Sequence, residues 1–324
     1  MSNKLLILLL AVVLNESILV QTATGKEFPA QQIEIICPYT PGGSMDIMSR
    51  LVADMAPKYL GQPVVVVNKP GAAGSIAAAD VISSRPDGYK LITLTSFFLA
   101  ATVKTQKVPF DPDDLVPIAN LMEFKFGMIV KGDSPWKTLG NLLVYARKNP
   151  GQLRWGHPGR GISIHMSGLL IFRKAGVETV DIPYKGAPEV LASLLGGHID
   201  AAASVYGAVR DHAKSGKVRY LTVFSDRRYG DPSDVPCVVE LGFPEAAFPS
   251  FVGLYARKNT PEGIKKTLMD ALKKTFEEPE FKKGIEKLGE EPRYGGPEFM
   301  KEAIKKGGEV GVPILKELGL YVGK

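Results

Sequence analysis

The chain has 324 residues, is 45% hydrophobic, and carries 40 lysines and arginines against 34 acidic residues, a formal charge of +6. That length holds one large or two medium domains. The positive excess is scattered, the C-terminal lysines interleave with glutamates as on solvated helix faces, and no basic stripe carries aromatics, so no nucleic acid partner is expected. A mild positive field suits recruitment of an anionic solute.

Residues 1–25 read as a signal peptide: Lys4 supplies the charge, Leu5 to Leu14 the apolar core, and Ala23-Thr24-Gly25 the small residues for cleavage. The apolar run is shorter than the ~20 residues of a membrane span. No cysteine follows it directly, which argues against a lipoprotein anchor; a retained N-terminal anchor is the competing reading. No later segment is apolar enough to span a membrane. The expected compartment is therefore periplasmic.

Beyond residue 25, short apolar runs alternate with amphipathic stretches: strand 33–37, helix 45–56, strand 63–67, helix 74–84 and strand 89–94. This alternation predicts βαβ units around a parallel sheet. A second unit opens with strand 126–131, then Ser134-Pro135 as a predicted N-cap and first helical residue, with a helix running to about 149. Strand 153–157, helix 163–175, strand 179–183, helix 187–196, strand 199–203 and strand 218–223 follow. Strand 251–256 returns toward the first unit. The tail predicts one helix from Ile264, Leu268, Ala271 and Leu272, another from Phe299, Ala303 and Ile304, and a last from Ile314, Leu315 and Leu318. A chain that leaves one domain, builds a second and returns makes a bilobal α/β clamp with two crossovers. The expected division is 26–126 plus 253–324 for the first domain and 127–252 for the second.

Two glycine loops stand where ligands bind in such sheets, beyond the C-terminal ends of strands. The first is Cys37-Pro38-Tyr39-Thr40-Pro41-Gly42-Gly43-Ser44-Met45-Asp46. Its glycines leave no side chain in a ligand's way, Gly43 is expected where the backbone approaches an anion and takes a positive φ, and Ser44 is the expected cap. The helix behind it offers unpaired N–H groups and a positive dipole end. Asp46 either meets a ligand hydroxyl, amine or water, or pairs with Arg50 one turn on. The second loop is His157-Pro158-Gly159-Arg160-Gly161-Ile162-Ser163, with Ser163 as its expected cap. Thr95 and Ser96, Tyr184 and Lys185, and Ser204 also lie at strand ends and join Tyr39 as candidates. Arg160 reads as either an anion clamp or a solvent-facing arginine.

The first glycine loop and five segments after it, in this order, resemble a known family: Val64 to Gly74, Arg85 to Ile92, Gly159 to His165, Ile182 to Gly186 and Leu195 to Asp200. From about Ile33 to the C-terminus the chain resembles the extracytoplasmic solute receptors of tripartite tricarboxylate transporters, the Bug family. Cys37 and Met45 depart from the usual aliphatic and small polar residues. The resemblance implies a periplasmic-binding-protein-like (type II) fold, two α/β domains joined by two crossover strands. It implies a small organic carboxylate held between the lobes, partly through ordered water, by Thr40, Pro41, Gly42, Gly43, Ser44 and Asp46 on one side and Gly161, Ile162 and Ser163 on the other. The implied partners are that carboxylate and the membrane subunits of the transporter, with the receptor itself a monomer, no cofactor and no metal.

Catalysis finds little support. The four histidines show no metal-like spacing, and no nucleophile elbow, P-loop or complete dinucleotide fingerprint occurs. His165 reads as a packed or capping histidine rather than a base. An enzyme on the same scaffold and a sensory subunit of a signalling system remain the alternative readings. Export permits a disulfide between Cys37 and Cys237; lone buried cysteines acting as small hydrophobes is the favoured reading.

Overall fold

A computed structural model of the chain describes residues 27–184 and 186–322. The expected signal peptide and the candidate Lys185 lie outside the described residues. Valine and isoleucine runs form the first strands, β1 (Ile33–Cys37) and β2 (Val64–Asn68), separated by α1 (Ser44–Met55) and α2 (Pro57–Leu60). Then come α3 (Ser75–Ile82), β3 (Lys90–Thr95), α4 (Ser96–Ala100) and β4 (Leu115–Phe124). Only Lys125 separates β4 from β5 (Phe126–Lys131), which is followed by α5 (Leu139–Lys148), β6 (Arg154–His157), α6 (Ser163–Lys174) and β7 (Val180–Pro183). The chain continues through α7 (Ala187–Leu195), β8 (Ala201–Val205), α8 (Tyr206–Lys214), β9 (Val218–Val223) and β10 (Ser250–Arg257). It closes with α9 (Glu262–Glu277), α10 (Pro279–Lys287), β11 (Glu291–Gly295) and α11 (Pro297–Glu317).

Two sheets result. The first has the order β11-β4-β10-β3-β1-β2, the second β7-β6-β8-β5-β9. β1 runs parallel to β2 and β3, and β6 parallel to β7 and β8, so the loops after β1 and β6 leave from the C-terminal edges of parallel strands. β10 and β5 run antiparallel to their neighbours, because each enters its sheet from the other lobe. The chain therefore crosses between sheets twice, at Lys125 and between β9 and β10.

Each sheet is covered on both faces, as parallel sheets require. In the first, Met48, Val52, Leu268, Phe281 and Ile285 bury one face, and Ala77, Val81, Phe98 and Met300 the other. In the second, Trp155, Ile171 and Phe172 bury one face, and Val190, Leu194 and Val209 the other. The last helix joins the two lobes. Its Gly307 and Gly311 bring α11 against Ala100, Ala101 and Phe97, where an added Cβ would stand 3.0–3.1 Å from its neighbours. Further on, Ile314 and Leu315 enter the core of the second lobe, and Glu317 pairs with Arg173 of α6.

Several expectations need correction. Ser134 caps no helix; its hydroxyl accepts the Trp136 N–H, and α5 starts five residues later under Thr138, whose hydroxyl accepts the Asn141 N–H. The two predicted terminal helices are one 21-residue helix with Pro313 inside it. Both cysteines are free and buried, Cys37 in the first lobe and Cys237 in the second. Among the described residues no helix is long and apolar enough to cross a membrane.

Candidate functional site

The two glycine loops share one local design, Gly-x-Ser-x-acceptor. In the first, Gly42 turns the backbone at φ +89°, Gly43 is extended at φ −79°, and α1 begins at Ser44. In the second, Gly161 has φ +73°, Ile162 is extended at φ −87°, and α6 begins at Ser163. The left-handed turn thus falls on Gly42, not on Gly43 as the sequence suggested. Ser44 and Ser163 are first helical residues rather than caps, and no side chain caps either helix. The first-turn N–H groups consequently point out of each helix start unclaimed by a cap.

The residue four beyond each turning glycine locks the loop from behind. The Gly42 N–H donates to Asp46 Oδ2 at 2.9 Å; the Gly161 N–H donates to His165 Nδ1 at 3.1 Å. Asp46 is a four-bond hub. Arg50 donates to both its oxygens at 3.0 Å, and Asn68 Nδ2 to Oδ1 at 2.8 Å. Asn68 ends β2 opposite Cys37, and its amide also donates to the Tyr39 carbonyl at 2.9 Å, so the loop is tied at both ends. Burial pushes the Asp46 carboxyl up, but Arg50, the Gly42 N–H and Asn68 outweigh it and hold it below the usual range. Of the two roles open to Asp46, the geometry displays the pairing with Arg50.

The second hub is built from histidines. Asp181 on β7 lies 3.3 Å from His157 Nε2, 3.5 Å from His165 Nε2 and 3.1 Å from the Arg160 guanidinium. His157 Nδ1 lies 2.7 Å from the Gly159 carbonyl. Burial, followed by the neighbouring His157, pushes His165 down to about 3; burial lowers His157 as well. Because His165 Nδ1 accepts a backbone N–H, the proton of its neutral ring sits on Nε2, facing Asp181. His157, His165 and Asp181 are close enough to ligate one cation. However, Arg160 already neutralises Asp181, and Gly161 already occupies one His165 nitrogen. The arrangement is that of a loop scaffold, and it casts Arg160 as a brace rather than an anion clamp. Sequence spacing hid this group, because β7 brings Asp181 in from sixteen residues beyond His165.

The other candidates divide by accessibility. Tyr39, Thr40, Pro41, Gly42 and Gly43 are exposed, Ser44 and Ile162 half-buried, and Ser163 buried. Thr95 Oγ1 accepts the Phe98 N–H at 3.1 Å and so caps α4, and Ser96 beside it is buried. The Tyr184 hydroxyl bonds Ser193 on α7. Ser204 has no exposed surface in this conformation. The two lobes meet through groups that the sequence did not single out. Thr102, just past α4, donates from Oγ1 to the Gly161 carbonyl at 3.2 Å. Glu290, wholly buried between α10 and β11, accepts the Lys125 N–H at 2.9 Å and faces Ser44 Oγ at 3.3 Å. It also accepts from the Gly207 N–H, at the start of α8 in the second lobe.

Against known proteins, residues 48–320 match the profile of the tripartite tricarboxylate transporter family receptor. The chain belongs to this family of solute-binding receptors. A Cupriavidus necator relative, the UPF0065 protein in the gbd 5' region, is 37% identical over 92% of this chain and 90% of its own length. A Rhodopseudomonas palustris protein solved with adipate is 26% identical, with a TM-score of 0.81 over 90% of this chain and 99% of that one. MatC of the same organism, solved with bound malate, is also 26% identical, with a TM-score of 0.75 over 88% of this chain and 100% of that one. The bilobal α/β fold expected from the sequence is the fold of these receptors.

Proposed function

We propose that this receptor captures a small organic carboxylate between its lobes and delivers it to the membrane subunits of a tripartite tricarboxylate-type transporter. One observation carries the reading: the paired Gly-x-Ser-x-acceptor loops, one per lobe, each opening an uncapped helix start. Such helix starts favour anions by about 0.3–1 kcal/mol each when exposed and up to ~2 when partly buried. Tyr39, Thr40, Pro41, Gly42, Gly43 and Ser44 form the first face of the site, and Gly161, Ile162 and Ser163 the second. Asp46 and His165 hold the loops rather than the ligand. Thr95, Ser96, Tyr184, Lys185 and Ser204 are proposed as further ligand positions on the strength of their place at strand ends in the sequence. The carboxylates bound by the two Rhodopseudomonas receptors support the ligand class. The mature chain starts near Lys26, works in the periplasm as a monomer and turns nothing over.

Thermal-shift titration with C4–C6 dicarboxylates, including malate and adipate, tests the reading. At least one acid should raise the melting temperature while its diamide does not. Equal shifts from acid and diamide, or none across the series, would remove the carboxylate assignment.

A further inference from the structure

Glu290 is buried where both lobes and the crossover meet. Three donors converge on its carboxyl: the Lys125 N–H from the crossover, the Gly207 N–H from the start of α8, and the hydroxyl of Ser44 from the first glycine loop. Ser44 is half-buried, with one side against Glu290 and the rest open beside the first-turn N–H groups of α1. A serine hydroxyl has one proton to give. An ionised Glu290 can only accept, so it takes that proton and leaves Ser44 presenting lone pairs outward. A protonated Glu290 donates to Ser44 Oγ instead and frees the Ser44 proton for an outside acceptor.

Resting on the carboxylate reading above, we propose that Glu290 is a positioning residue that sets the donor direction of Ser44, so that the receptor holds an anionic ligand when Glu290 carries a proton and releases it when Glu290 ionises. Charge acts in the same direction. An ionised Glu290 places a buried negative charge one hydroxyl away from the proposed site, where water screens it little.

The surroundings leave Glu290 as the group to titrate. Burial pushes it up to about 8, against the Lys125 and Gly207 N–H groups, Ser44 and the Lys125 charge. From the crossover, the Lys125 ammonium lies 3.3 Å from Glu291 and 5.6–5.7 Å from the rings of Tyr206 and Tyr229. From α8 and β9 come Tyr206, bonded to Asp231, and Tyr220. Burial pushes all three tyrosine hydroxyls upward, so they stay neutral while Glu290 ionises.

The test is calorimetric titration of the mature chain with malate and adipate from pH 6 to 9.5. In the wild type, affinity should hold to about pH 7 and then fall toward tenfold per unit above about pH 8. Glu290→Gln keeps the shape and a permanent donor toward Ser44, so its affinity should stay near the wild-type acid plateau at every pH. A wild-type profile that is flat, or a Glu290→Gln profile that keeps the alkaline fall, overturns the proposal while leaving the carboxylate reading standing. Absence of binding to either acid by the wild type at pH 6 overturns both. A further readout needs no variant: near pH 8, wild-type binding should take up protons, seen as a heat that changes with the ionisation enthalpy of the buffer. Equal heats in all buffers count against it.

Discussion

The two glycine loops are near copies in backbone and opposites in chemistry. Each turns on a glycine in the left-handed region, starts a helix at serine, and returns the glycine N–H to the residue four beyond. The first loop hands that N–H to a carboxylate held ionised by Arg50; the second hands it to a neutral imidazole. The first stands in solvent, where a Cβ at Gly42 would meet nothing within 4 Å. The second is wedged against the other lobe, where a Cβ at Gly161 would stand 2.6 Å from Thr105 Cγ2. One loop is thus stiffened by charge and the other by packing. Backbone geometry is what the two share, so geometry is the part required of each; the means of holding it differ.

Substitution of the turning glycines should separate the loops most widely. An alanine forced to positive φ costs about 1–2 kcal/mol. Gly42→Ala should lose about that much, and Gly161→Ala about 1 kcal/mol more, because Thr105 must also give way. Urea melts read both; equal losses would mean that the interlobe wedge is slack. Gly43→Ala serves as the control. Its φ is already ordinary, so stability should stay put, and any lost affinity reports ligand approach to that backbone.

Removing the charge from the first hub comes next. Asp46→Asn keeps one acceptor but loses the Arg50 pairing, and should cost about 2 kcal/mol. His165→Asn, which keeps an acceptor for Gly161, should cost less at pH 7. The reverse ranking would mean that packing, not charge, holds the first loop.

Acid should then open the loops in sequence. The His165 ring binds its proton near 6.5 when unfolded and only near 3 when folded, so the unfolded state holds more protons between those values. Stability conferred by the neutral ring is full above 6.5 and declines by up to about 1.4 kcal/mol per unit as pH falls. Asp46 has its carboxyl lowered from 3.8, so its contribution is lost only below that value. Hydrogen exchange at pH 5, referred to pH 7 after correction for intrinsic rates, should therefore show the Gly161 amide losing protection while Gly42 keeps its own. His165→Asn should remove the difference.

The smallest effects belong to the hydroxyls. Ser44→Ala and Ser163→Ala should each weaken ligand binding by about 1 kcal/mol, near fivefold, and the double mutant should be non-additive if one carboxylate joins them. Unchanged affinity in all three variants, with folding intact, would reduce both loops to turns.

Much of this was legible in the chain. Valine and isoleucine runs and the Pro-Gly punctuation gave the alternating units, because those residues act locally. What stayed hidden depended on distant partners. β4 carries Pro117, Asn120 and Glu123, which break a strand pattern, yet it lies between β10 and β11. Asn120 Nδ2 donates there to the Arg293 carbonyl at 2.7 Å, while its Oδ1 is buried without a hydrogen-bond partner among the described residues. The helix α11 contains Gly307, Gly308, Gly311 and Pro313, which read locally as breakers; close approach to α4 makes the glycines useful. α8 and α10 are too polar to announce themselves. At the site, the glycine and serine positions and the local Asp46–Arg50 pair could be read, but the distant partners behind the loops could not. Asn68, Asp181 and Glu290 reach the loops through strand register or across the lobe boundary, and Glu290 is one acid among many in a charged tail.

The interrupted first sheet also sets an order of events in time. The second sheet uses one unbroken stretch from β5 to β9 and needs nothing made later to complete its pairing. The first sheet cannot close until the end of the chain exists: Thr95 waits for Val252, and Asn120 for Gly295. Until then β3 and β4 lack their common neighbour, and the face later covered by α11 is bare. A nascent chain of this design can therefore complete its second sheet while its first stays unfinished until the last residues are made.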